Sequence, residues 1–171
     1  YSVDAGGRRA AFALGGDLYV VDLSTGATTG LPSGGAVFDP VIDPTGRRVA
    51  YVGPTEAGDN GLFVVDVDGA SPSRLVVSEP DPLVSWGRAE FIAGEEMSRT
   101  RGMWWSPDGD RLLAERVAEH DVDVWWIGDP AHPARTPQSI RYPAAGTVNA
   151  SVGLTLFAVE AAVEPIELDW S

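Results

Sequence analysis

The sequence contains no cysteine, no lysine and only two histidines among its 171 residues. Without cysteine, neither a disulfide nor a thiolate metal site can form. His120 and His132 are too few for a histidine-rich metal site. We therefore expect no metal and no other cofactor.

Positive charge is also scarce, because 12 arginines face 25 acidic residues and the net charge is −13. Such a chain repels phosphates, so we expect neither nucleic acid nor an anionic membrane as a partner, whereas a cationic ligand is favoured. No apolar run approaches the roughly 20 residues of a membrane span, and no signal peptide opens the chain. These absences predict a cytoplasmic protein, with secretion as the alternative if the N-terminus is cropped.

A turn followed by a short strand occurs three times, with copies starting near residues 4, 43 and 106. An aspartate or serine opens each turn, and Gly7, Gly46 or Gly109 ends it, which suits a type I turn with a left-handed exit. The intervals between these glycines are 39 and 63 residues. The three copies are Asp4–Ala13, Asp43–Val52 and Ser106–Glu115.

A second strand follows each copy, and β-branched and aromatic residues dominate it. These second strands are Asp17–Leu23, Gly61–Val67 and Asp123–Ile127. Further strands are predicted at Val37–Ile42, Arg74–Ser78, Gly102–Trp105, Gln138–Arg141, Ser151–Val159 and Pro165–Trp170.

Short strands that recur about every 40 residues are typical of propeller blades, each made of four antiparallel strands. We therefore predict an all-β fold in which residues 1–171 form three to four such blades. Because a closed ring usually needs at least four blades, an arc of a larger propeller is favoured over a very small closed one. The open strand edges of an arc also predict a homo-oligomer.

The longer second interval indicates an insertion between Pro80 and Arg101. Within it, Ala89–Met97 is the only stretch with helical composition, so we predict one short helical insert over residues 87–98. Departures from a repeat usually lie on a functional face.

The insert contains Glu95 and Glu96, which form the only adjacent acid pair in the chain. The simplest interpretation is a solvated helix face. The alternative is a cation site, because two carboxylates can satisfy two of the three donors of a primary ammonium. Neighbouring helix residues do not face each other, so the pair would converge only on a ligand seated between them.

For four tryptophans and three aspartates, a structural role is favoured over ligand binding. One tryptophan of each adjacent pair, 104–105 and 125–126, is predicted to lie in the core. The aspartates at 22, 66 and 68 end strands at turns, so turn chemistry is favoured over calcium binding.

The segment AEFIAGEEM…RTRGMWWSPDG resembles the N-terminal propeller of the dipeptidyl peptidase IV group of prolyl oligopeptidase-family serine peptidases. In that group a double-glutamate motif precedes a W-S-P-D-G blade start. The later segment Arg141–Val152 is similar to the group's Y-P-x-A-G-x-x-N-x-x-V motif. The resemblance is good over residues 86–159 and loose elsewhere.

The resemblance implies that Glu95 and Glu96 hold the free α-amino group of a peptide and so limit cleavage to N-terminal dipeptides. The sequence departs from the group's D-W-V-Y-E-E-E pattern by lacking its tyrosine and its third acid. No arginine here aligns with the group's substrate-contacting arginine. For Arg99 and Arg101 we predict local ion pairs with Glu95 or Glu96.

The sequence has no G-x-S-x-G nucleophile elbow. In the resembled group the catalytic serine, aspartate and histidine lie in an α/β-hydrolase domain. The resemblance thus implies a parent serine-type dipeptidyl peptidase, with that hydrolase domain and a peptide with a free N-terminus as partners. These 171 residues alone are predicted to be inactive. The alternative is a stand-alone propeller-type binding or scaffold module without peptidase activity.

Overall fold

The computed structural model describes residues 1–160 and 163–169, and its chain is all-β apart from one short helix. The first two sheets each contain four antiparallel strands in sequence order. Blade 1 consists of β1 (Ser2–Val3), β2 (Arg9–Leu14), β3 (Asp17–Asp22) and β4 (Thr28–Leu31). Blade 2 consists of β5 (Phe38–Ile42), β6 (Arg48–Pro54), β7 (Asn60–Asp66) and β8 (Arg74–Ser78).

The third sheet, blade 3, has an interrupted first strand. Its strands are β9 (Val84–Trp86), β10 (Met103–Trp105), β11 (Arg111–Ala118), β14 (Ser151–Ala158) and β15 (Ile166–Leu168). Both β9 and β10 pair with β11, since Trp86 lies opposite Arg116 and Met103 lies opposite Ala114. The two short strands therefore occupy one strand position of the sheet, next to β11. The segment between them is an insertion that leaves the blade.

That segment contains the helix α1 (Phe91–Met97). The predicted all-β architecture of four-stranded antiparallel blades with one short helical insert is confirmed.

One predicted strand has a different place in the fold. The strand predicted at Asp123–Ile127 forms as β12 (Val124–Ile127), but it pairs with β13 (Gln138–Arg141) in a separate two-stranded hairpin. Its position as the second strand of the third copy is wrong, because β11 pairs instead with β14 along eight residues. All of β12 is exposed, whereas β14 contributes Phe157 to the core. The strand predicted to end at Trp170 is β15, and Trp170 lies outside the described residues.

In each blade, the turn between the first two strand positions of the sheet (β1 and β2, β5 and β6, β10 and β11) opens with a side chain that accepts hydrogen bonds from the backbone ahead of it. Asp4 Oδ1 accepts hydrogen bonds from the N–H groups of Arg8 (2.7 Å) and Arg9 (3.0 Å). Asp43 and Ser106 each accept one from the N–H group five residues ahead. Burial raises the pKa of Asp4, but the bonds from Arg9 and Arg8 lower it more, so the net shift is downward.

Apolar clusters join neighbouring blades. Blades 1 and 2 share Ala11, Leu18, Val20, Leu31, Val37, Ile42, Val49, Tyr51 and Val65. Blades 2 and 3 share Val41, Ala50, Val52, Leu62, Val64, Trp86, Met103, Leu112, Ala114, Phe157 and Val159. Neither cluster joins blade 1 to blade 3, so within the described residues the blades stack as an open series.

The tryptophan prediction holds for one pair. Trp105 packs against the core between blades 2 and 3, and its indole N–H donates to the Val41 carbonyl, while Trp104 is 39% exposed. It is wrong for Trp125 and Trp126, which are 50% and 66% exposed. Both lie on β12, which belongs to a hairpin outside the three stacked sheets.

In the part of the chain that the structure describes, no helix has the length and hydropathy needed to cross a membrane.

Asp22 at the end of β3 shows the predicted turn chemistry. Its Oδ1 accepts hydrogen bonds from the Ser24 hydroxyl (2.6 Å) and from the N–H groups of Ser24 and Thr25. These bonds, the Ser24 hydroxyl first, lower the pKa of Asp22 from 3.8 to about 2.

We expect the Asp22→Asn variant to be less stable than the parent chain near neutral pH, with the difference shrinking on acidification. Because the folded pKa lies below the unfolded one, the carboxylate stabilises the fold fully above about pH 4, and this is lost as the pH falls through about 2. Urea unfolding between pH 2 and 7 measures the difference. Asp17→Asn, at the other end of β3, is the matched control. A difference that does not change with pH would contradict the assignment.

Candidate functional site

The insertion leaves and re-enters blade 3 at a single point. The Gly87 N–H donates to the Glu115 carbonyl (2.9 Å), the Glu115 N–H donates to the Gly102 carbonyl (2.7 Å), and the Gly102 N–H donates to the Gly87 carbonyl (3.0 Å). A Cβ on Gly102 would lie 2.6 Å from the backbone of Arg88. Only glycine permits this approach. Gly87 and Gly102, held together beside Glu115, form the closed neck of the insertion.

The helix in the insertion is short but capped at both ends. The two carboxylate oxygens of Glu90 accept hydrogen bonds from the N–H groups of Ile92 (2.6 Å) and Ala93 (2.7 Å), so Glu90 is the N-cap. Ser98 adopts the left-handed conformation at the C-terminus, and its N–H donates to the Ala93 carbonyl. Capping matters here, because a helix of seven residues has few internal hydrogen bonds. Sequence analysis did not identify the cap.

An ion pair between a buried carboxylate and a half-buried arginine attaches the insertion to the sheet. The Glu115 side chain is 2% exposed, and its Oε2 lies 2.5 Å from Nη1 of Arg99. The same Nη1 donates to the Arg101 carbonyl (2.9 Å), and the guanidinium lies over the Trp104 ring. The hydrogen bond with Glu115 raises the pKa of Arg99 above its ordinary value.

The predicted pairing of Arg99 and Arg101 with Glu95 or Glu96 is wrong. Arg99 pairs with Glu115 instead, because a desolvated carboxylate needs a charged partner more than an exposed one does. Arg101 forms no ion pair with an acid in the described residues, and its Nε is buried without a hydrogen-bond partner.

Glu115 is the residue of the site that sequence analysis missed. Its backbone closes the neck of the insertion and its carboxylate binds the returning arm. The available signal was an acid within the strand RLLAERVA, most of whose other residues are apolar. A buried acid in a strand implies a charged partner nearby.

The acid pair lies near the C-terminal end of α1. Glu95 and Glu96 are both exposed and, among the described residues, neither side chain makes a hydrogen bond or an ion pair. Their carboxylates are therefore available to a ligand. That they bind one remains a prediction.

The β12–β13 hairpin supports the insertion from the other side. The Phe91 ring at the start of α1 packs edge-on against Tyr142, with centroids 5.2 Å apart, and Tyr142 packs in the same way against Trp125 at 5.3 Å. Arg141 holds the base of the hairpin by donating to the Val122 carbonyl (2.5 Å). Two segments distant in sequence are thus joined by a row of aromatic contacts.

A cavity of about 310 Å³ lies beside the neck of the insertion. Charged and aromatic side chains of the insertion line it on one side, including Arg88, Glu90 and Phe91, and β11 supplies Val117. Glu95 and Glu96 do not line this cavity. Among the residues that the structure describes, no three histidine, aspartate or glutamate side chains lie close enough together to hold a metal ion.

Comparison with known proteins identifies relatives of this arrangement. Residues 8–170 match the family described as the dipeptidyl peptidase IV (DPP IV) N-terminal region. The chain is 34% identical over 89 residues to mouse dipeptidyl peptidase 8, covering 47% of this chain. It is 23% identical over 150 residues to dipeptidyl aminopeptidase B of Saccharomyces cerevisiae, covering 85% of this chain.

The fold is similar to the crystal structure of Porphyromonas gingivalis dipeptidyl peptidase 4, with a TM-score of 0.74 and 23% sequence identity over 98% of this chain. The chain spans 25% of that protein, 18% of the yeast relative and 10% of the mouse relative.

We expect Glu115→Gln to lower the free energy of unfolding by about 1.5–3 kcal/mol, because Arg99 loses a charge-assisted partner. The Arg99 N–H, which donates to the Ala93 carbonyl at the end of α1, should exchange faster with solvent. Urea unfolding and amide hydrogen exchange measure the two effects.

Glu79→Gln is the matched control, because Glu79 pairs with Arg116 at 3.2 Å in a half-exposed position. Such pairs contribute at most about 1 kcal/mol. Equal losses in the two variants would show that Glu115 does not hold the insertion.

Proposed function

The chain belongs to the family of dipeptidyl peptidase IV N-terminal regions, and on that premise we propose that it is the substrate-recognition part of a serine-type dipeptidyl aminopeptidase. In this proposal Glu95 and Glu96 bind the free α-ammonium group of a peptide. The observation that carries it is the exposure of two adjacent carboxylates, without protein partners in the described residues, on a capped helix.

The chemistry of the pair suits an ammonium group. An ammonium has three N–H donors, and two ionised carboxylates can accept two of them in charge-assisted hydrogen bonds. Each such bond contributes about 1.5–3 kcal/mol. A peptide with an acylated amine has neither the charge nor the three donors, so it cannot make these contacts.

A recognition site must hold its ligand in one position to set which bond is cleaved. The neck of the insertion is closed by Gly87 and Gly102, and the Arg99–Glu115 pair attaches it to β11. Phe91 packs against Tyr142 on the neighbouring hairpin. These supports would keep the acid pair at a constant distance from a reactive centre elsewhere, so that cleavage would follow the second residue.

We place hydrolysis itself in an α/β-hydrolase domain of the same protein, outside these 171 residues. The sequence has no G-x-S-x-G motif. His120 pairs with Asp81 and His132 with Asp129, at 2.7 Å and 2.8 Å, and neither histidine forms a hydrogen bond to a serine in the described residues. No nucleophile and base of the required kind are therefore adjacent here.

The alternative function is a protein-binding module without peptidase activity. One observation favours it: β12 exposes Trp125, Trp126 and Ile127 together, and exposed apolar patches mark interaction sites. The two functions differ in whether Glu95 and Glu96 contribute to turnover.

In the full-length enzyme we expect Glu95→Ala and Glu96→Ala each to lower kcat/KM on dipeptides with a free amine by about 30-fold or more. Removing one carboxylate leaves part of the ammonium unpaired, which costs roughly 2–5 kcal/mol of transition-state binding. Steady-state kinetics on free and acylated peptides measure the effect, which should vanish for acylated substrates.

Glu56→Ala, which removes an exposed carboxylate from the loop between β6 and β7, is the matched control and should retain the parent rate. Near-parental rates in both Glu95→Ala and Glu96→Ala would mean that the pair is only a solvated helix face.

The purified 171-residue chain should not hydrolyse a Gly-Pro-anilide substrate, because no activated nucleophile is adjacent to a base in the part of the chain that the structure describes. Release of the anilide chromophore measures this directly. Activity that copurifies with the chain through two independent columns would place a catalytic centre within these residues and contradict the proposal.

A further inference from the structure

A larger cavity lies where blade 2 meets the segment that connects it to blade 1. Its volume is about 710 Å³, within the roughly 300–1,000 Å³ of small-molecule sites. The segment between β4 and β5 forms one wall, and the loop between β6 and β7, together with the last two strands of blade 2, forms the rest. Neither the outer face of blade 1 nor that of blade 3 contributes to it.

Apolar side chains form the floor of this cavity. Phe63 stacks on the buried ring of Tyr51, with centroids 5.4 Å apart. Leu75 is the cross-strand partner of Phe63 on β8, and it remains 45% exposed. A Cβ on Gly61 would lie 2.6 Å from Leu75 and 3.1 Å from Phe63, so the glycine lets these two side chains approach each other. Together they offer an apolar surface that a ligand could bury.

Hydrogen bonds hold the connecting segment against blade 2. The Tyr51 hydroxyl donates to the Ser33 carbonyl (2.9 Å), and the Ser73 hydroxyl donates to the Pro32 carbonyl (2.5 Å). Both donors belong to blade 2, and both acceptors belong to the segment that follows β4. The cavity is therefore formed before any ligand binds, as is usual for small-molecule sites.

Two polar groups lie together on the loop between β6 and β7. The Thr55 N–H donates to the Asp59 carbonyl (2.7 Å), which closes the loop and brings the two residues side by side. Both residues line the cavity. In the described residues the buried Thr55 Oγ1 has no hydrogen-bond partner, and the half-buried Asp59 side chain makes no hydrogen bond or ion pair. A buried hydroxyl costs free energy unless a partner bonds to it.

The charge of the cavity favours a cation. Among the described residues that line it, only Asp59 and Glu56 are charged, and none is basic. Glu56 is exposed, so solvent screens its charge more than that of the half-buried Asp59. An anion would be repelled, and a neutral ligand would leave the Asp59 carboxylate without a charged partner.

We propose that this cavity binds a small organic amine, with its apolar body against Phe63 and Leu75 and its ammonium group beside Thr55 and Asp59. The Asp59 carboxylate accepts one N–H of the ammonium in a charge-assisted hydrogen bond, and the Thr55 hydroxyl oxygen accepts another. The third N–H remains bonded to solvent. This site is separate from the acid pair at 95–96, because no residue of the insertion lines the cavity.

Backbone amide chemical shifts of the 171-residue chain test the proposal. The probe is phenethylamine, and the chain carries Glu95→Ala and Glu96→Ala so that the acid pair cannot bind the probe. Saturable shifts are expected at the N–H groups of Thr55, Asp59 and Ser73, with a Kd of about 1 mM or tighter. Phenethyl alcohol has the same shape without the charge, so it should bind about tenfold more weakly. The phenylpropionate anion should bind more weakly still.

Two variants separate the polar groups from the apolar floor. Asp59→Asn should remove the preference for the amine and leave binding of the alcohol unchanged. Thr55→Val, which keeps the side-chain shape, should weaken amine binding by about fivefold. Its melting temperature should stay the same or rise, because the hydroxyl has no partner in the described part of the fold. Asp121→Asn removes an exposed carboxylate between β11 and β12, and as the matched control it should bind like the parent chain.

Three results would each overturn the proposal: shifts that do not saturate by about 10 mM amine, an alcohol or anion that binds as tightly as the amine, and an Asp59→Asn chain that keeps the preference for the amine. Circular dichroism confirms that each variant is folded. Because the tested chain lacks both carboxylates of the acid pair, the outcome is independent of the function proposed for Glu95 and Glu96.

Discussion

The Arg48 guanidinium sets how blades 2 and 3 fit together. Apolar faces bring two sheets into contact but allow them to slide, because the hydrophobic effect is not directional. Arg48 removes that freedom: its side chain is 6% exposed, it donates to the Gly109 carbonyl, and it pairs with Glu160. A nearly buried cation is stable only with such partners. β11, which holds the insertion through Glu115, begins two residues after Gly109, so this contact lies at the start of the strand that carries the insertion.

The insertion repeats the same principle on a smaller scale. A seven-residue helix has little stability of its own, and α1 depends on the Glu90 cap, the Arg99–Glu115 pair and the contact of Phe91 with Tyr142. None of these three stabilising contacts involves the side chains of Glu95 or Glu96. Glu95 and Glu96 are thus left with their charges free at an exposed surface, an arrangement that suits recognition better than stability.

Local chemistry explains what could be predicted from the sequence. Asp43, Gly46 and their counterparts encode the turns, and alternation in stretches such as Gly61–Val67 encodes strands, because turn and strand preferences act between near neighbours. Such local preferences could not predict the strand that pairs with β11. Whether β14 or β12 pairs with it depends on which strand fills a core formed by residues distant in sequence. The partner of Arg99 was missed for the same reason. Its nearest acids in sequence are exposed, and desolvation of Glu115 decides the pairing.

Because the neck of the insertion is closed, the strand pairing of blade 3 does not depend on how long the inserted segment is. Gly87 and Gly102 are hydrogen-bonded to each other, so the two ends of the insertion stay at a fixed separation whatever segment lies between them. Lengthening a loop with fixed ends costs only about 0.6 kcal/mol for each doubling. Evolution, or a protein engineer, could therefore change the length and chemistry of this segment while β9 and β10 keep their places, provided that Arg99 remains as the partner of the buried Glu115. The blade can therefore carry inserted segments of different length without a change in its strand pairing.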